Sequence, residues 1–258
     1  MIGKRDEYEK MFRLEQRLWW YRILHERVLR AIGRQFGPDR RGLRLLDAGC
    51  GTGGLLDLLR RAGYTDLRGV DGSADAVAFC RERGLDVTLL NLNDFATYPP
   101  EPFDVIVCND VFCYFDDAAL HQLLTQLAKR LRPGGLLISN NNAFAVFHGQ
   151  HDLAVGSTRR FVRADFDRLL PPAGLTLRTA TYWSLALAPL ILAVRQWQTL
   201  QLRLGWRQPD APASDVYFPG AWVNEALYRL VHLEGQLLPR TPFGSSLLLT
   251  AGPTVPGQ

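Results

Sequence analysis

One heptapeptide constrains this chain more than any other segment: Asp47-Ala48-Gly49-Cys50-Gly51-Thr52-Gly53. A short apolar run over residues 43–47 leads into it, and a helical pattern over residues 55–62 follows. Glycines between a strand and a helix allow a sharp turn and let a ligand approach the backbone closely. The letters also satisfy G-x-G-x-x-G through Gly49, Gly51 and Gly54, so a dinucleotide site has to be weighed. Asp47 opposes that reading. A carboxylate two positions before the first glycine repels a pyrophosphate and attracts an ammonium group.

The rest of the chain repeats the strand-then-helix rhythm. Apolar runs at 67–70, 87–90, 103–108 and 136–139 read as strands. Helices are expected at 74–83, with Ser73 as cap, and at 120–131, stopped by Pro133-Gly134-Gly135. The strands are continuous apolar runs, which indicates a parallel sheet covered on both faces. The expected class is α/β, a Rossmann-like doubly wound sheet of seven strands. Ligands of such sheets bind at the carboxyl ends of the strands. Beyond Asn142 the rhythm loosens: a helix over 158–170, a strand over 175–182, helices over 190–204 and 222–238 joined through the Pro- and Asp-containing stretch 208–219, and a final strand over 246–251. Before the glycine turn, Met11, Leu14, Leu18, Tyr21 and Leu24 mark the buried stripe of one or two helices over 5–36. The expected division is a helical lid (1–38), a core (39–183), a helical cap (184–243) and the last strand with its tail (244–258).

Composition narrows the class. The 258 residues suffice for one large domain with a lid, and 47% hydrophobic with 22% charged residues is an ordinary globular balance. Thirty basic against 26 acidic residues leave only +4, with no basic stripe, so no nucleic-acid partner is expected. Four irregularly spaced cysteines without C-x-x-C suggest a reduced, cytoplasmic protein without a zinc ribbon. His148 and His151 beside Asp152 read as loop residues, and no metal is expected. The longest apolar run, 185–194, is about half of the ~20 residues of a membrane span. With Trp197, Arg195, Arg203 and Arg207 nearby, that run either packs on the core or makes peripheral contact with a membrane.

Asp71 supplies the second constraint. It stands 18 residues after Gly53, at the tip of the second strand, where a carboxylate accepts both hydroxyls of an adenosine ribose. A ligand with ribose hydroxyls, a cationic amino group and no phosphate satisfies both acids. S-adenosylmethionine (SAM) has that composition. At this point the heptapeptide resembles the first motif of class I SAM-dependent methyltransferases. The segments 103–111, Asp116-Asp117 and Leu131-Arg132-Pro133-Gly134-Gly135, with the strand after them, are similar to the family's fourth- and fifth-strand regions.

The resemblance implies that the last of the seven strands is antiparallel, and it implies roles. Asp47, Gly49, Cys50 and Gly51 surround the methionine part, Asp71 binds the ribose, and Gly72 and Ser73 lie beside the adenosine. In Leu90-Asn91-Leu92-Asn93-Asp94, either Asn91 or Asn93 stands where the family has an acid contacting adenine, with Leu92 between them. Asn109 and Asp110 end the fourth strand below the sulfonium. Tyr114 stands where the family often has a histidine, which removes one general base. His25, Tyr114, Asn142 and Tyr182 are the catalytic candidates, and Trp19, Trp20, Tyr21 and Tyr217 the candidates for a lid over the substrate. Arg159-Arg160 either begins a solvated helix or holds a substrate carboxylate or phosphate. The expected activity is methyl transfer from SAM to an oxygen or nitrogen of a small molecule in a biosynthetic pathway. Two rivals stand beside it: cyclisation of SAM itself, as in azetidine-2-carboxylate synthases, and a non-catalytic SAM-binding or peripheral membrane module.

Overall fold

A computed structural model describes residues 5–39, 42–204 and 217–254. Two helices, α1 (Arg5–Leu14) and α2 (Trp19–Phe36), precede the sheet. The strands β1 (Arg44–Ala48), β2 (Asp66–Asp71), β3 (Val87–Leu89), β4 (Phe103–Val107) and β5 (Leu131–Asn142) alternate with α3 (Gly54–Arg61), α4 (Ala74–Glu82) and α5 (Asp117–Arg130). After β5 come α6 (Gln150–Val155), α7 (Arg163–Leu169) and β6 (Leu175–Trp183). Two further helices, α8 (Ala188–Arg203) and α9 (Ala221–Leu237), intervene before β7 (Ser246–Pro253).

The seven strands form one sheet in the order β3-β2-β1-β4-β5-β7-β6. The first five run parallel, and β7 lies antiparallel between β5 and β6. The order reverses between β1 and β4, which opens a crevice at the carboxyl ends of those strands. Successive residues of the central strands face opposite layers, so both must be apolar. Leu46, Ile106 and Leu137 pack with Leu120, Leu124 and Leu127 of α5, while Leu45, Val105 and Ile138 pack with Val28 and Ile32 of α2 and Val231 of α9.

The region after β5 departs from the sequence expectation. No helix spans 158–170: Phe161 is fully buried and pairs with Ala143 in a parallel bridge, and α7 starts only at Arg163. Packing of one aromatic into the core overrides local helical preference there. His151 lies in the short helix α6, not a loop, and the buried Asp152 of that helix accepts the Gly149 amide at 2.9 Å. Of the expected connection 208–219, residues 208–216 lie outside the described residues, as do residues 255–258 of the tail.

Candidate active site

A cavity of about 770 Å³ opens at the carboxyl ends of the parallel strands and continues between α2, α8 and α9. It takes in the glycine turn (Asp47, Gly49, Cys50, Gly51) and the tip of β2 (Asp71, Gly72). The segment after β3 (Asn91, Leu92, Asn93) and the end of β4 (Asn109, Asp110) complete its floor. Its volume falls within the ~300–1,000 Å³ usual for small-molecule sites.

The turn is built by close approach. At Gly49, with φ of +85°, an added Cβ would lie 2.4 Å from Val111 Cγ2, so only glycine passes beneath the β4 loop. Asp71 braces the turn from β2: its carboxylate accepts the Gly51 amide and the Ser73 amide, each at 2.9 Å. Ser73 itself does not line the cavity. Its hydroxyl accepts from the Ala76 amide and caps α4. Asn91 accepts from both the backbone and the side chain of Asn93, so the two expected adenine candidates form one unit at the rim.

The third glycine has a different explanation. Glu15, in the turn after α1, is buried, and its carboxylate accepts the Thr52 hydroxyl and the Gly54 amide (3.1 Å) and pairs with Arg83 at 2.8 Å. A Cβ at Gly54 would stand 2.3 Å from that carboxyl group. Gly54 therefore makes room for an N-terminal strap, not for a phosphate. No motif pointed to Glu15, because its partners lie 37 residues and more away.

Five acids line the cavity, and burial raises four of them. Burial pushes the Asp47 carboxyl up to about 8, with Asp71 and Glu15 adding repulsion. Burial also raises Asp71, against the pull of the Ser73 and Gly51 amides. Burial takes Glu15 up to about 7, against Arg83, and Asp110 up to about 7, against Asn140 and Arg160. Such a set is disfavoured while all its members are charged and favours a cationic ligand.

At the end of β4, Asp110 adopts φ of 56°, a left-handed conformation uncommon for a non-glycine residue. The geometry is imposed by Asn140: its amide nitrogen lies 3.1 and 3.2 Å from the two oxygens of Asp110, and its backbone carbonyl accepts the Asp110 amide at 2.8 Å. The other end of the Asn140 amide accepts the Trp183 indole at 2.9 Å, and the Asn140 backbone donates to Asn109 Oδ1 at 2.9 Å. Of the three consecutive amides 140–142, only Asn142 reaches the cavity. Asn141 points to the opposite layer and donates to Ser139, as strand alternation requires.

The catalytic candidates separate. Tyr182 does not line the cavity: its ring stacks on Phe144 at 4.6 Å and its hydroxyl accepts the Arg163 amide at 2.9 Å, so it serves the α7 start. His25 lines the cavity, but burial and then Arg83 and Arg61 lower it to about 4, which leaves a neutral ring of low basicity. Tyr114 lines the cavity, and burial raises its hydroxyl well above the ordinary range, so it stays protonated. Trp19, Trp20 and Tyr21 all reach the cavity, because α2 begins at its edge; Trp20 also stacks near Trp183 (5.7 Å). Tyr217 lines the outer mouth and is largely exposed. Arg160 also lines the cavity, but its guanidinium is held by both oxygens of Asp152 at 3.0 Å and by the Ala143 carbonyl at 3.1 Å.

The family model described as a methyltransferase domain matches residues 20–178, more than half of the chain. The chain belongs to the class I SAM-dependent methyltransferases. The chain is 26% identical over 132 residues to the ubiquinone biosynthesis O-methyltransferase of Neisseria meningitidis, covering 46% of this chain and 55% of that one. It is 33% identical over 101 residues to the trans-aconitate 2-methyltransferase of Afipia carboxidovorans, covering 39% of each. The chain thus spans about half the length of the curated relatives it matches. Among solved structures, a SAM-dependent methyltransferase from Clostridium acetobutylicum superposes with a TM-score of 0.54 at 12% identity, over 90% of this chain and 91% of the other. That likeness establishes the fold. SAM is the cofactor of the family to which the chain belongs.

Proposed function

We propose that the chain transfers the methyl group of SAM to an oxygen or nitrogen of a small molecule. One observation carries the reading: Asp47 and Asp71 face the same cavity as the aromatic start of α2 and the inner faces of α8 and α9. Asp47 would hold the ammonium of the methionine part, Asp71 the ribose hydroxyls, and Asn91 with Asn93 the adenine edge. The space at Asn142 and between α8 and α9 would take the acceptor, with residues 1–38 as lid and 184–243 as cap.

SAM supplies an activated methyl group: the S–CH3 bond breaks as the bond to the acceptor forms, and the electron pair returns to sulfur. The protein aligns the acceptor in line with that bond, where near-attack distances of ~3–3.5 Å leave little tolerance. The aromatic faces of Trp19, Trp20 and Tyr21 attract the cationic sulfonium. Asp110 is the group best placed to take the acceptor's proton. It is fixed by Asn140 at the cavity floor and titrates near neutrality.

Titration calorimetry with S-adenosylhomocysteine tests the reading. Asp71→Asn should weaken binding at least about tenfold, the scale of one charge-assisted hydrogen bond, with an unchanged circular dichroism spectrum. Unchanged affinity would remove Asp71 from the site. Incubation with SAM should release S-adenosylhomocysteine only when an acceptor is present, and release of methylthioadenosine without an acceptor would replace methyl transfer by cyclisation.

A further inference from the structure

The charged side chains that line the cavity are divided along the chain. Its five acids, Glu7, Glu15, Asp47, Asp71 and Asp110, stand on α1, in the turn after it and at the ends of β1, β2 and β4. Its two arginines, Arg160 and Arg195, come after β5, Arg160 just before α7 and Arg195 on α8. The acids suit a cationic cofactor. The arginines have no part in holding it and call for a different ligand group.

Both arginines meet at one residue, Gly149. Its amide donates to Asp152 Oδ2 at 2.9 Å, and the same oxygen accepts Arg160 Nη2 at 3.0 Å. A Cβ added at Gly149 would stand 2.7 Å from Arg195 Cδ and 3.0 Å from its Nε. The φ of Gly149 is −170°, extended backbone that any residue adopts, so glycine here makes room for Arg195. Arg195 is buried, and the Arg160 side chain is only 6% exposed. Burying two guanidinium groups this close is costly unless acceptors compensate them. Asp152, fully buried, takes Nε and Nη2 of Arg160, and the Ala143 carbonyl takes Nη1. Those bonds use three of the five N–H groups of a guanidinium and leave two for a group in the cavity. Arg195 donates through Nη1 to the neutral Gln198 amide at 3.0 Å.

We infer that the methyl acceptor carries an oxyanion, a carboxylate or a phosphate ester, and that Arg195 and Arg160 hold it. Guanidinium groups are planar, stay charged and present paired N–H donors that match such oxygens. The inference rests on the methyl-transfer reading above and names its substrate class. Arg160 lies near enough to Asp110 to draw its titration down, so the oxyanion is held close to the group proposed to take the acceptor's proton. Phe147, Val155, Ile191 and Leu227 give the same cavity an apolar wall. The acceptor is therefore an apolar molecule with an anionic end.

Three soluble probes test this: hexanoate, hexyl phosphate and the neutral hexanamide, each titrated calorimetrically into the complex with S-adenosylhomocysteine. At least one anion should bind about tenfold or more tighter than hexanamide, the scale of one charge-assisted hydrogen bond. Which anion binds tighter tells carboxylate from phosphate. Arg195→Met keeps an unbranched stem at Gly149 and removes the guanidinium. It should abolish the preference for anions while S-adenosylhomocysteine affinity and the circular dichroism spectrum stay those of the native chain. Arg195→Lys should restore part of the preference, because the charge returns without the planar fork. Should Arg195→Met fail to fold, Arg195→Lys decides alone, with a preference severalfold below native expected. Equal binding of the anions and hexanamide to the native chain would overturn the inference. So would a native preference in both variants, which would leave Arg195 only the task of tying α8 to α6. A native chain that binds no S-adenosylhomocysteine yet still prefers the anions would sink the methyl-transfer reading and leave the oxyanion subsite standing.

Discussion

Glu15 shows how much one buried carboxylate organises. It joins the N-terminal strap to the glycine turn through Thr52 and Gly54, and to α4's end through Arg83. Arg83 and Glu15 are both almost fully buried. Glu15→Ala would leave the guanidinium uncompensated, and such losses cost about 3–5 kcal/mol. Urea unfolding should show a drop of that size. Gly54→Ala should also destabilise, because the added methyl meets the same carboxyl group. Asp110 makes a different prediction. As the base it acts only when ionised, so the methyl-transfer rate should rise with pH through about 7, the value to which burial brings it. Asp110→Asn should lower kcat by ~10²–10⁴-fold and leave S-adenosylhomocysteine affinity within a few fold. Equal kcat in the two proteins would remove Asp110 from proton transfer.

At the scale of elements, the cap is fastened to the lid more than to the sheet. Asn224 of α9 accepts the Trp19 amide at 2.8 Å and donates to the Arg17 carbonyl at 3.0 Å, so it closes the start of α2. Nearby, Tyr228 donates to Glu26 and stacks under the Arg22 guanidinium, 3.6 Å from the ring centre. α2 and α9 therefore form a unit with polar seams on which the aromatic start of α2 depends. Asn224→Ala removes two partly buried hydrogen bonds, worth about 0.5–1.5 kcal/mol each. Limited proteolysis should then cut the cap faster than in the native chain. A weakened affinity for the acceptor should appear in KM before kcat, because the cap positions substrate and does no chemistry.

For the whole molecule, the acids of the crevice set a pH dependence. Burial brings Asp47, Glu15 and Asp110 to about 8, 7 and 7 in the folded chain, well above the ordinary carboxylate range near ~4. The folded state therefore binds more protons than the unfolded state between about pH 4 and pH 8, and stability falls as pH rises through that window. The Tm of the ligand-free chain should fall between pH 5 and pH 8. The stabilisation by SAM, whose cation faces Asp47 in the proposed mode, should grow over the same interval. A flat Tm profile would contradict the burial of these groups.

The strand-helix alternation, the glycine turn and the two acids Asp47 and Asp71 were legible in the linear chain. Each rests on local chemistry: apolar runs that must be covered on both faces, a turn that only glycine enters, and a carboxylate at a fixed interval along one crossover unit. The insertion before the last strand was legible as a break in that rhythm, whereas the antiparallel sense of that strand came with the family resemblance. What lay beyond reach depends on partners distant in sequence. Asp110 holds its left-handed backbone against Asn140, 30 residues on, and its titration is raised by a burial that only the assembled fold creates, against the pull of Asn140 and Arg160. Tyr182 leaves the candidate site because Arg163 and Phe144 claim it, and Asp152 proves to be the counter-ion of Arg160 because α6 folds where a loop was expected. The sequence by itself determined the fold and the class of cofactor, since both follow from residues that act on their neighbours along the chain. Only the tertiary structure decided which polar groups reach the cavity and which are spent on one another, because burial and pairing exist only once distant segments meet.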